Sequence, residues 1–253
     1  MCTLLLALRA HPRYPLILAA NRDEYYQRPT AGAALWQDAP QLFAGRDLVH
    51  GGTWLGITST GRISALTNYR QPADLVSHGG PSRGLLVSGF LQGEGGAKEY
   101  VASLRNSAAP FGGYNLLMGE RDELFCYASK SDELVRIAPG IHGLSNRLLD
   151  TPWPKVTRGK DALAGLLAAG RFSHHDLFAI LADRTRPPDE QLPDTGVGLE
   201  LERLLSPIFI ESERYGTRCS SVLLVESDWR ATFVERSFDG AAVRESSVSF
   251  DWS

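Results

Sequence analysis

Strand-like and helix-like stretches along this chain come in blocks instead of alternating, and that order restricts the architectures open to it. Residues 3–8 and 15–20 are short apolar runs split by a polar His11-Pro12-Arg13 turn, a hairpin signal. Residues 42–45, 53–58 and 62–68 are further strand candidates, parted by Gly51-Gly52 and by Ser59-Thr60-Gly61. The polar, proline-bearing stretch 22–41 reads as a loop over a site. A helical block follows. Ser82 can cap a helix carrying Leu85, Leu86, Phe90 and Leu91 at helical spacing, and 97–104 continues as a second piece. Short strands over 114–118, 124–127, 134–137 and 141–144 precede helices over 155–169 and 174–182, the latter capped by Ser173. A loop over 184–195 and a short helix over 199–205 lead to closing strands at 217–225, 231–236 and 243–250. Such blocks predict an α+β fold of mostly antiparallel sheets. Two sheets between two helical layers, a four-layer αββα sandwich, would place all 253 residues in a single domain.

Apolar content of 43% and charged content of 22% supply a core of useful size for such a sandwich. A net charge of −3 offers no electrostatic reason to expect nucleic acid or an anionic membrane as partner. The opening apolar run lacks a basic region before it and is interrupted by Arg9 and His11, so it does not read as a signal peptide. No segment approaches the ~20 apolar residues that span a bilayer. An odd count of three cysteines (Cys2, Cys126, Cys219) does not look like a disulfide framework, and a reducing cytoplasm is the expected compartment.

Several motifs can be set aside. There is no C-x-x-C pair, no H-E-x-x-H and no phosphate-binding loop, and adjacent His174-His175 do not share a helix face. No metal is expected. Gly80-Pro81-Ser82-Arg83-Gly84 matches the nucleophile-elbow pattern, but that motif needs a buried strand before the serine, and 74–79 is polar. Cys2 is harder to set aside. Methionine is generally removed before a small residue, which would leave Cys2 with thiol and α-amine in one residue. A free amine titrates near 7.7–8.0 and can serve as general base without a histidine. Such a nucleophile also needs a cation, an acid to orient the amine, and oxyanion donors. Arg22 and Asp23, Asn68, Asn146 and Arg218 stand at predicted strand ends, where they could converge.

Six blocks in order carry a resemblance. These are Cys2-Thr3, Asn21-Arg22-Asp23-Glu24, Gly51-Gly52-Thr53-Trp54-Leu55-Gly56, Thr67-Asn68-Tyr69-Arg70, Gly143-Leu144-Ser145-Asn146 and Thr217-Arg218. Together they resemble the NRDE family, that of transport and Golgi organisation protein 2, from residue 2 to about 225. That family in turn resembles N-terminal-nucleophile hydrolases of the penicillin V acylase and bile salt hydrolase kind, with an αββα sandwich and a processed N-terminal cysteine. The resemblance implies Cys2 as nucleophile, Arg22 as nearby cation and Asp23 as holder of the amine. It further implies Asn68 and Asn146 as oxyanion or substrate contacts, and Arg218 as completing the charged network. Glu24, Trp54, Tyr69 and Trp153 would line the binding site. The amidases carry Arg-x-x-Asp, whereas Arg22 and Asp23 are adjacent here. Adjacent strand residues point to opposite faces, so Asp23 and Glu24 both stay open as the inward acid.

Two functions follow. One is amidohydrolase or acyltransferase-like turnover of a small-molecule amide or thioester through Cys2, with no cofactor. If Met1 stays, the amine is locked in a peptide bond and that base is lost. The other is implied by the family's links to haem trafficking and to lipid or acyl-CoA homeostasis: a non-catalytic carrier of haem or acyl lipids using the same cleft, with Cys2, His50 or His142 touching iron. A structural or interaction protein with a vestigial site is a third possibility.

Overall fold

The computed structural model describes residues 2–72, 80–107, 109, 111–240 and 242–252. Thirteen strands among these residues form two antiparallel sheets. One sheet has the order β10-β1-β2-β11-β12-β13, built from β1 (Cys2–Leu8), β2 (Leu16–Tyr25), β10 (Gly140–Leu144), β11 (Tyr215–Val225), β12 (Arg230–Asp239) and β13 (Ala242–Asp251). The other runs β3 to β9 in sequence order: β3 (Thr30–Trp36), β4 (Ala39–Asp47), β5 (Leu55–Thr58), β6 (Arg62–Asn68), β7 (Tyr114–Glu120), β8 (Glu123–Ala128) and β9 (Glu133–Arg136).

The two-residue period of the strands sorts the core into layers. In β1, Cys2, Leu4, Leu6 and Leu8 face the opposite sheet, while Leu5 and Ala7 face helices. β2 divides likewise, with Leu16, Leu18 and Ala20 between the sheets and Ile17 and Ala19 on the helical side. Helices α3 (Pro154–Ala168) and α4 (His174–Leu181) cover that outer face through Leu163, Leu167, Leu177 and Phe178. The second sheet is covered by α1 (Gly84–Gln92) and α2 (Ala97–Arg105), which bury Leu86, Phe90 and Val101 against Leu66, Leu116 and Met118. This is the expected αββα sandwich. No helix among the described residues is long and apolar enough to cross a membrane.

Two expectations need correction. The stretch 22–41 is not a loop. β2 continues to Tyr25, paired in register with β11 (Thr217↔Asp23, Gly216↔Glu24), and β3 and the start of β4 fill much of the remainder. Its polar side chains find partners on distant segments, so polarity there does not mean solvent. Ser82 stands two residues before α1, and its Oγ accepts the Gly84 N–H at 3.3 Å. The segment 74–79, which bears on the elbow reading, lies outside the described residues. Gly52 explains the Gly-Gly turn: a Cβ there would come within 2.5 Å of the Gly84 backbone, so only glycine lets the β5 approach touch the start of α1.

Candidate functional site

Cys2 opens β1 in direct register with Arg22 of β2, and Arg22 is in register with Cys219 of β11. All three face the space between the sheets. Arg22 is buried. Its guanidinium lies 4.4 Å over the Trp54 ring, its Nη1 donates to Thr30 Oγ1 at 3.2 Å, and Nη2 is 3.8 Å from Glu24 Oε2. Burial pushes the Cys2 thiol up, the Asp23 charge adds to this, and Arg22 and the Asp23 backbone N–H work the other way. A thiol in that balance keeps its proton until a base takes it. Met1, which precedes it, lies outside the described residues.

Asp23 and Glu24 part company. Asp23 is 1% exposed, accepts from Thr217 Oγ1 at 2.8 Å through Oδ1, and its carbonyl accepts from Tyr215 Oη at 3.1 Å. Burial pushes its carboxyl up, opposed by Lys155, Thr217 and Arg70. The Glu24 side chain is a quarter exposed and sits between Arg22 and Arg28, at 3.8 and 3.9 Å. The buried acid is therefore Asp23. Strand alternation sends its side chain to the helical side while its backbone stays at the sulfur. Arg218 lies at a bulge of β11 between Thr217 and Cys219. Its Nη1 donates to the carbonyls of Tyr25, Tyr26 and Arg28 at 2.9, 3.1 and 3.1 Å, which braces the β2–β3 turn. It also lines a cleft of about 730 Å³ with Phe209 and Phe238. Among the described residues, no hydrogen bond or ion pair joins it to Cys2 or to Asp23.

The two asparagines meet where β6 and β10 end. Asn146 is fully buried, donates from Nδ2 to the Asn68 carbonyl at 2.9 Å, and accepts the Arg70 backbone N–H on its own carbonyl at 2.8 Å. Ser145 Oγ, beside it, is 3.2 Å from the Cys2 carbonyl and so ties β10 to the head of β1. The Asn68 carboxamide is half-buried and has no hydrogen-bond partner among the described residues, so its N–H donors are uncommitted. Trp54 is likewise buried with its indole N–H unsatisfied among the described residues. Its benzo edge points at Gly45, where a Cβ would come within 2.1 Å of the ring. Tyr69 and Trp153 serve differently. The Tyr69 ring lies under Arg147 at 5.0 Å and the Trp153 ring under Arg70 at 4.6 Å.

Three charged residues outside the expected set complete the cluster. Arg70 and Glu202 of α5 (Leu199–Leu204) form an ion pair of 2.6 Å with both side chains under 5% exposed. Lys155, on the first turn of α3, is 2% exposed and donates to the Leu205 carbonyl at 3.1 Å. Charged residues default to the surface in any pattern-based reading. The available signals were Arg70 within the Thr67–Arg70 block and Lys155 beside Trp153 and Val156. Of the two histidines considered for iron, His142 is committed at both nitrogens, to Asp150 at 2.6 Å and to the Ala138 carbonyl at 2.9 Å, and His50 is exposed.

Known proteins share both the sequence and the fold. A family model described as Transport and Golgi organisation 2 matches residues 1–240. A transport and Golgi organization protein 2 homolog of Bos taurus is 36% identical over 249 residues, covering 90% of this chain and 88% of that protein. The Homo sapiens homolog is 35% identical, covering 88% and 87%. Among solved structures, a mutant of conjugated bile acid hydrolase from Clostridium perfringens superimposes with a TM-score of 0.55 at 8% identity, covering 100% of this chain and 97% of that one. A Caenorhabditis elegans ortholog of N-acylethanolamine-hydrolyzing acid amidase gives 0.52 at 10% identity, covering 88% and 92%. These last two place the chain in the N-terminal-nucleophile hydrolase fold.

Proposed function

Since the chain belongs to the transport and Golgi organisation 2 family and carries an N-terminal-nucleophile hydrolase fold, we propose that it is an acyl-transfer enzyme acting through Cys2 on small-molecule amides or thioesters. Removal of Met1 frees the α-amine of Cys2. The Cys2 sulfur attacks the acyl carbon, the S–H proton passes to that amine, and Asp23 orients the resulting ammonium. Arg22, directly across the strand pair, stabilises the developing thiolate. The acyl oxygen takes up negative charge and is met by the open donors of Asn68, by the second Nδ2 proton of Asn146 and by the indole N–H of Trp54. The proton then returns to the leaving nitrogen or sulfur as its bond to carbon breaks, and water hydrolyses the thioester left on Cys2.

The observation that carries this reading is the register: a strand-end thiol opposite a buried guanidinium, with a buried carboxylate one residue on. The test uses an activated ester probe. Intact mass of the purified chain should show the loss of one methionine and then one acyl adduct, which is released on longer incubation. Cys2→Ala should take up no acyl group while its melting temperature stays within a few degrees of wild type. Equal labelling of the two proteins would remove the proposal, and saturable binding without acylation would leave only a carrier.

A further inference from the structure

A carboxamide donates from one end and accepts at the other, and the two ends are nearly the same size, so its neighbours decide which way it faces. At Asn146 they leave one arrangement. Arg70 Nη2 donates to Oδ1 at 3.4 Å, and a guanidinium has nothing but donors, so oxygen must stand on that side. The Asn68 carbonyl can only accept, and Nδ2 donates to it at 2.9 Å. Both Arg70 and Asn146 are buried, and the Arg70 backbone N–H grips the Asn146 carbonyl as well, at 2.8 Å. The guanidinium is itself held. Its Nη1 pairs with Glu202 of α5 at 2.6 Å, and its carbon lies 4.6 Å from the centre of the Trp153 ring. The other Glu202 oxygen accepts from the N–H and the hydroxyl of Thr195. A buried ion pair is a poor way to gain stability, and what this one holds stands beside the nucleophile. Ser145 Oγ is 3.3 Å from the same Asn146 Oδ1 and 3.2 Å from the Cys2 carbonyl. A hydroxyl has one proton to give, and with Arg70 on Oδ1 that proton can go to Cys2.

We propose that Arg70, held by Glu202, is a positioning residue of this site: it fixes the Asn146 carboxamide so that nitrogen, not oxygen, is the end offered to the acyl group. The assignment rests on the acyl-transfer reading above, in which the second Nδ2 proton meets the charge growing on the acyl oxygen. Without Arg70 the carboxamide keeps only the Asn68 carbonyl and the Ser145 hydroxyl, and a hydroxyl can turn to serve either end. The donor then loses its aim. The loss falls on the transition state, where the oxygen is charged, and hardly on binding of the neutral substrate.

The experiment follows Cys2 acylation by the ester probe over a range of probe concentrations in wild type, Arg70→Met, Asn146→Ala and the double variant. Each series gives a limiting rate and a half-saturating concentration. Losing one oxyanion donor costs about 10²–10³-fold, so Asn146→Ala should lower the limiting rate by that order. Arg70→Met should lower it by about tenfold or more, with half-saturation within about twofold of wild type in both variants. In the Asn146→Ala background, Arg70→Met should cost less than about twofold more, because the group it aims is gone. A purely structural arginine would give losses that multiply. Multiplying losses, a wild-type rate in Arg70→Met, or a change confined to half-saturation would overturn the assignment. If Arg70→Met does not fold, Glu202→Gln takes its place, since it keeps the side-chain shape and loosens the guanidinium. A loss of about threefold or more that vanishes beside Asn146→Ala is then expected, and no loss, or one that multiplies, overturns the assignment. Wild type that is never acylated at Cys2 removes the acyl-transfer reading along with this one. Acylated wild type with multiplying losses, or with Asn146→Ala no slower, removes this one alone.

Discussion

Cys2 and Cys219 flank Arg22 on the same face of neighbouring strands, yet different things await their protons. Burial pushes Cys219 well up, and the neighbouring Glu235, whose own carboxyl is pushed up by burial, adds to this. Cys126 is pushed to about 12 by burial, and the Asp150 charge adds to this. Arg22 pulls the Cys219 thiol down as well, but Cys2 has in addition the pull of the Asp23 backbone N–H. Iodoacetamide at pH 8 should therefore modify Cys2 at least tenfold faster than the other two. Peptide mass mapping reads this directly, and early modification of Cys126 or Cys219 would contradict it. Trp54 offers a second test, because an unsatisfied buried N–H is a liability unless a ligand uses it. Trp54→Phe keeps a ring under Arg22 and deletes the donor. Acylation should slow by about tenfold or more while stability holds or rises. An unchanged rate with lower stability would mean that the indole only packs.

Among the elements, the strands with clean apolar alternation were legible in the sequence, and β2 shows where legibility stops. Its first half, from Leu16 to Ala20, announces itself by apolar residues on both faces. Its second half, Asn21 to Tyr25, is polar and reads as a loop, although the same ladder carries it on. Asn21 is buried because its Nδ2 reaches the carbonyls of Leu181 and Ile208, at 2.8 and 2.9 Å, and Asp23 because Thr217 reaches it. Partners more than 150 residues away leave no mark on a local pattern. The same blindness hid Lys155 and Glu202, whereas Arg70, like Cys2, Arg22 and Asn146, sits in a distinctive short block. Gly45 illustrates how an element serves the site. Any side chain there collides with Trp54, so β4 holds the ring against Arg22 only while it carries glycine. Gly45→Ala should cost about 1–3 kcal/mol by overpacking and slow acylation as well. Urea unfolding followed by tryptophan fluorescence gives the first number, and an unchanged midpoint would show that the ring moves freely.

On the scale of the whole molecule, the sandwich places its charged cluster where three layers meet: the gap between sheets on the Cys2 side, and the helix–sheet interface on the Asp23 and Lys155 side. Holding an ammonium there works against folding. The folded chain releases the Lys155 proton near 7, whereas an unfolded lysine releases it near 10.4. Between those values the unfolded state binds the extra proton, so stability rises with pH by at most about 1.4 kcal/mol per unit from this residue. The three buried thiols act oppositely once pH passes the unfolded thiol value of about 8.5, because each is pushed up in the folded state. The clean window is therefore pH 7 to 8.5. Lys155→Met, which needs no desolvated charge, should be the more stable protein at pH 7, and its advantage should shrink by roughly 2 kcal/mol by pH 8.5. Denaturant midpoints at the two pH values measure the difference. A gap between the two proteins that does not change with pH would mean that Lys155 sits in its pocket without strain.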